Sequence, residues 1–301
     1  MTAHYFFLFF VLNIFLLDDQ SDKNLIKTLV PINYNLSSPD KIYVLPNALK
    51  EVSGITETDV TSIACIQDEN GILFIYDLIK EEIRNQYPFY FNGDYEGIAR
   101  VDKKFYILRS DGMLFGVTNY ESATSTPESY LTGIPARDNE GLCFDKKANR
   151  LLIAPKNNYK KDSDNKNHRY IYSFDLKTKK LAEKPAFDFD LKVIEKFASE
   201  NKINVPMKSG KKGHKNDPDI EFRPSEIAMH PITNRLFVLS GMERLLFVFD
   251  MNGEIEYIEK LDPELFPQPE GITFLKNGDM LISNDIKNKK PTILRFNYLI
   301  K

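Results

Sequence analysis

The chain has no tryptophan, only two cysteines and only four histidines in 301 residues. Two thiols exclude a disulfide-built scaffold. The histidines are scattered: His4 near the start, His168 and His214 in charged stretches, and His230 before Pro231 at an expected surface turn. That distribution gives a zinc site little support. No G-x-S-x-G phrase is present, so a serine nucleophile of the hydrolase-elbow kind is not indicated. The formal net charge is −3 and no broad basic excess exists, so a nucleic-acid partner is not expected.

Long apolar runs are also missing, with one short exception. Tyr5 to Leu17 is a 13-residue, almost wholly apolar stretch ending at Asp18 and Asp19. It is too short to cross a bilayer comfortably and has the length of a secretory h-region. No Lys or Arg precedes it, and neither a small-x-small cleavage site nor a cysteine follows it. The alternative is a buried strand, but nothing before Tyr5 offers a pairing partner. Residues 1–20 are therefore read as a signal peptide or N-terminal anchor, with possible membrane association through this end. The protein is expected to be exported to the periplasm, cell envelope or extracellular space, with residues 21–39 as a linker.

What the chain does have is a phrase used five times: an acidic residue, usually a glycine, then an apolar strand. It occurs as Glu51-Val-Ser-Gly54-Ile55, Glu96-Gly97-Ile98, Glu140-Gly141-Leu142, Glu226-Ile227-Ala228 and Glu270-Gly271-Ile272. Successive acids are 44 or 45 residues apart, except for one interval of 86. A period in the middle forties built on short strands marks a β-propeller blade. A second register agrees with it, because Tyr76-Asp77-Leu78, Phe174-Asp175-Leu176 and Phe249-Asp250-Met251 recur where third strands should end.

The long interval does not hide a sixth blade. Lys156 to His168 is charged and Asn-rich, hence a solvated hairpin loop. Leu191, Ile194, Phe197 and Ala198 fall at helical spacing. Lys208 to Asp219 reads as a basic loop. Residues 40–301 are thus expected to form an all-β, five-bladed propeller of four-stranded antiparallel blades, with a helical and loop insertion at about 187–222. The last blade lacks a fourth strand, which Lys41 to Leu45 can supply, closing the ring and removing an exposed edge. Cys65 and Cys143 fall inside strands of different blades and are expected as buried free thiols.

These phrases, together with Pro224-Ser-Glu-Ile-Ala-Met-His-Pro231 and the helical insertion before it, resemble the SdiA-regulated propeller family over roughly residues 40–301. The resemblance implies a five-bladed propeller distantly related to NHL-repeat propellers, export to the cell envelope and a bound calcium ion, with no established reaction. Glu226 departs from the pattern, since Ile227 stands where the glycine is expected.

Five carboxylates at one repeat position cannot all stay charged and unpaired in a poorly solvated channel. One resolution is structural, each Glu accepting hydrogen bonds from the neighbouring blade while the glycine permits close approach. A second is a hard cation, since Ca²⁺ takes six to eight oxygen ligands. The candidate metal ligands are Glu96, Glu140, Glu226, Glu270 and Asp285. The candidate ligand-binding residues at the same channel mouth are Glu51, Asp68, Arg109, Lys156 and Asn284, with Arg109 and Lys156 as possible counter-charges. The function class this suggests is a calcium-binding module for a polar small molecule, a glycan or an envelope protein. The alternative is a metal-dependent hydrolase of lactones or phosphoesters, using Glu270, Asn284 and Asp285 with Glu96.

Overall fold

A computed structural model describes residues 28–122, 126–158, 167–207, 218–285 and 289–299. The apolar run, the 1–20 segment and His4 and His214 lie outside the described residues, as do most of the two charged loops. Strand β1 (Lys41–Val44) comes first, followed by blade one, β2 (Val52–Asp59), β3 (Ser62–Gln67), β4 (Ile72–Asp77) and β5 (Glu82–Pro88). Blade two is β6 (Tyr95–Val101), β7 (Lys104–Arg109), β8 (Met113–Val117) and β9 (Glu128–Leu131). Blade three is β10 (Ala136–Asp145), β11 (Arg150–Asn158) and β12 (His168–Asp175), with β13 (Lys180–Leu181) and β14 (Phe187–Asp190) both pairing β12. Helix α1 (Leu191–Glu200) follows. Blade four is β15 (Glu226–Met229), β16 (Leu236–Ser240), β17 (Leu245–Phe249) and β18 (Ile255–Lys260). Blade five is β19 (Pro269–Phe274), β20 (Met280–Asn284) and β21 (Thr292–Phe296), completed by β1.

The five blades, the single α-helix among the described residues and the closing strand all follow the sequence expectation. The aromatic–Asp register has a local cause. The aromatic packs in the core, while the Asp side chain folds the next turn: Asp77 Oδ1 accepts from the backbone N–H groups of Ile79 and Lys80, and Asp175 Oδ1 from those of Lys177 and Thr178. The apolar core lies between neighbouring blades. Ala64, Ile66, Leu73 and Ile75 of blade one, for example, pack on Ile98, Phe105, Ile107 and Phe115 of blade two. Helix α1 begins at Asp190, whose carboxylate accepts from Lys192 N at 2.9 Å, and it buries Leu191, Ile194, Phe197 and Ala198. Both cysteines are buried and unpaired, as expected.

Two sequence expectations need correction. Residues 28–39 are not a free linker, because Val30 N donates to Glu256 O at 2.9 Å, Arg235 donates to Pro31 O, and Ile32 and Leu36 are buried. Nor is His230 a surface turn residue: it is 2% exposed beneath that docked segment. Its Nδ1 accepts from the backbone of Ile232 and Thr233, which leaves Nε2 to donate to Tyr34 Oη at 2.7 Å. Burial lowers its pKa to about 4, so the ring is neutral.

Candidate functional site

Closing the ring sets the first strands of all five blades side by side around the axis. The glycines of the repeat show how close they come. A Cβ on Gly97 would stand 2.6 Å from Glu140 O, one on Gly54 2.9 Å from Glu96 O, and one on Gly271 3.1 Å from Ile55 Cγ1, each in the following blade. At Gly54 and Gly97 no other residue fits without moving backbone, whereas at Gly271 the obstacles are the side chains of Ser283 and Ile55. In blade four Ile227 takes that position, and its Cγ1 fills the space beside Gly141.

Strand register then decides which residues form the ring. In blade two the pairing passes from Tyr95↔Arg109 to Gly97↔Leu108, leaving Glu96 as a bulge. Glu140 is the equivalent bulged residue of blade three, and the register also shifts across Glu270 and Gly271 in blade five. A bulge re-aims its side chain, here toward the axis. In blade one the pairing skips from Val52↔Gln67 to Gly54↔Ile66, so the ring position belongs to Ser53 and not to Glu51. The ring is therefore Ser53, Glu96, Glu140, Glu226 and Glu270. Glu51 lies two residues earlier, in the same repeat position as Asp94 and Asp138. Those two acids were missed because the phrase was anchored on its acid; alignment on Gly-Ile shows them.

The four ring glutamates differ in their surroundings. Glu226 is 1% exposed, and its Oε1 accepts from Leu142 N of the preceding blade at 2.6 Å and from Ile227 N at 2.9 Å. Burial holds its pKa well above the usual carboxylate range despite those two donors. Glu140 receives the Lys156 ammonium at 3.0 Å, yet burial still raises its pKa. Glu270 accepts from Gln268 at 2.9 Å and is pushed up to about 7 by burial, with Glu140 adding to the shift. Glu96 is pushed up to about 9, chiefly by burial and then by Glu140 and Asp94. It is a neutral acid at pH 7.

The ends of the second strands reach the same mouth, as expected. Asp68 O accepts from Tyr95 N and Ser110 O from Asn139 N, each in the following blade, while Asp285 Oδ1 accepts from Glu51 N at 3.2 Å. Burial pushes Asp68 up to about 6, with Glu51, Glu69, Asp94 and Asp285 adding repulsion. Arg109 does not serve the ring, because it pairs with Asp111 at 2.7 Å and lies over Phe115. Lys156 does, its charge reaching Glu140, Glu270 and Glu96. Asn284 is fully buried, and its Oδ1 has no hydrogen-bond partner. Asn139 Oδ1, Asp68 Oδ1 and Glu226 Oε2 are orphaned in the same way. Among the described residues no three acidic, histidine or cysteine side chains already surround one metal position.

At the other end of the first strands lies a cavity of about 690 Å³. Ile55, Ile98, Leu142, Ile227 and Ile272, next along the strands from the acidic ring, form its floor, and all five blades contribute to its wall.

No family model matches the chain, and no curated protein matches it in sequence. Solved structures share the fold. The glutaminyl cyclase of Myxococcus xanthus superposes with a TM-score of 0.55 at 12% identity, over 88% of this chain and 97% of its own. Streptogramin B lyase gives 0.48 at 14% identity, over 85% and 97%. A chain of the nidogen–laminin complex gives 0.48 at 11%, over 80% and 74%. At 12% identity the likeness to the cyclase is one of fold alone.

Proposed function

We propose that this propeller is a binding module whose acidic channel mouth takes up a hard cation, Ca²⁺ above others, and through it a polar ligand. One observation carries the reading: buried oxygen acceptors stand without donors (Glu226 Oε2, Asn284 Oδ1, Asp68 Oδ1) beside carboxyls whose pKa values are raised by burial first and by their mutual repulsion second. An all-oxygen donor set suits Ca²⁺ in chemistry. Glu96, Glu140 and Glu270 would hold the ion, with Asp285, Asp68 and the free oxygen of Glu226 behind them. When bound, the ion would supply the positive charge that Lys156 alone provides in part. The polar small molecule, glycan or envelope protein expected from the sequence would then meet the mouth where Glu51 and Asn284 lie. Export, and kinship with the SdiA-regulated family, belong to the same proposal and rest on the N-terminal run and the repeat phrases.

The hydrolase alternative asks for a substrate-sized hollow beside the carboxylates, whereas the 690 Å³ cavity lies at the other end of the axis. Calorimetric titration with CaCl₂, alongside melting curves in calcium and in chelator, tests the proposal. One site is expected, with proton release at pH 7–8 because Glu96 and Glu270 must ionise. Calcium at 100 times its Kd should add about 2.7 kcal/mol of stability. The double variant Glu96→Gln, Glu270→Gln should abolish both effects. Absent heat, with melting unchanged by chelator, sinks the assignment.

A further inference from the structure

The second mouth has the opposite character from the first. Its floor is the aliphatic girdle described above, and its wall adds Cys143, Phe144, Met229 and Phe274. Its rim is cationic: Arg100 is the last residue but one of β6, Lys146 and Lys147 sit in the turn between β10 and β11, and Lys276 sits in the turn after β19. Arg100 is held in place by backbone, its Nε donating to Asp102 O at 2.8 Å and its Nη1 to Thr58 O. The three lysines are exposed. One carboxylate, Glu57, also lines the wall, and its Oε2 is buried with no hydrogen-bond partner. A volume of about 690 Å³ is that of a small-molecule site, and this one joins an aliphatic floor to a polar and charged rim.

We propose that this mouth binds a small amphipathic organic anion, its apolar body on the aliphatic floor and its acid group among Arg100, Lys146, Lys147 and Lys276. Three observations converge on that occupant. The floor removes apolar area from water, which drives entry without regard to charge. The rim concentrates one sign of charge over a low-dielectric hollow, which selects anions over neutral molecules and cations. Glu57 offers its orphaned oxygen as an additional acceptor to a ligand that carries a hydroxyl or amine. The site shares no residue with the acidic mouth, so it stands or falls independently of the cation proposal.

The absence of tryptophan makes the test clean. Phe144→Trp places a single indole at the cavity wall, and its emission reports occupancy of that site alone. Octanoate and octyl phosphate are titrated as anionic probes against octan-1-ol, with calorimetry on the unmodified chain as the parallel measurement should the indole disturb packing. Saturable one-site binding of an anionic probe, roughly tenfold tighter than octan-1-ol, is expected. The tighter of the two anions identifies a carboxylate or a phosphate headgroup. The triple variant Lys146→Ala, Lys147→Ala, Lys276→Ala, confined to exposed turns, should weaken the anions roughly tenfold and leave octan-1-ol unchanged. Equal affinity for octan-1-ol overturns the proposal. So does an unaffected triple variant, or the lack of any response up to the solubility of the probes.

Discussion

The two ends of the axial channel are built by the same five strands, a few residues apart, and they collect opposite charge. At one end Glu96, Glu140, Glu226 and Glu270 face each other with Lys156 as the cation among them. At the other, Arg100, Lys146, Lys147 and Lys276 surround a hollow that holds one carboxylate, Glu57. The acidic end is crowded, buried and bulged, so its chemistry is dominated by desolvation. The basic end is formed by turns whose lysines remain in water. A repeat thus sets where side chains meet, while burial sets what state they are in.

The largest effect should separate the ends by stability. Glu226→Ala leaves two buried N–H groups, those of Leu142 and Ile227, without an acceptor, and should cost about 2–5 kcal/mol. Lys147→Ala at the other end should change stability by less than about 0.5 kcal/mol. Denaturant unfolding of both variants checks the contrast, and equal costs would erase it.

The next effect is pH. Glu96, Glu270 and Asp68 have folded pKa values of about 9, about 7 and about 6, above their unpaired values of 4.5, 4.5 and 3.8. Within each window the folded chain binds more protons than the unfolded chain, so stability falls as pH rises. In chelator, the melting temperature should therefore decline from about pH 5 to pH 9. Glu96→Gln should flatten the part above pH 7, and a slope there that survives the substitution would mean Glu96 is not its source.

The smallest effect concerns Lys156. If it stands in for an ion, Lys156→Gln should tighten calcium binding by roughly tenfold at pH 8 and lower stability in chelator. Unchanged affinity by calorimetry would show that the lysine and the ion do not compete.

Much of the fold was legible in the residues because strand, turn and period each leave a local mark. The blade count, the closing strand Lys41–Val44 and the buried face of α1 all follow from spacing. The docking of residues 28–39 left no such mark, and neither did the burial of His230 beneath Tyr34. Both depend on chain segments about 200 residues apart. The acidic site was half legible. Its glutamates were visible as a repeat, but the place of Ser53 in the ring came only with the bulge, because register is a property of paired strands. The basic mouth was only partly visible: Lys146 and Lys276 each stand six residues after a repeat glutamate, but Arg100 and Lys147 share no such position, and the four meet only through ring closure.

The sequence by itself determined that this chain makes five blades, each opening on an acidic phrase, because periodicity and turn chemistry act within a few residues. Tertiary structure alone decided that Glu226 is a buried peg between two blades, that Glu96 keeps its proton, and that the far ends of the same strands gather cations around a hollow. Desolvation and charge coupling depend on distance through space, and only the closed ring supplies those distances.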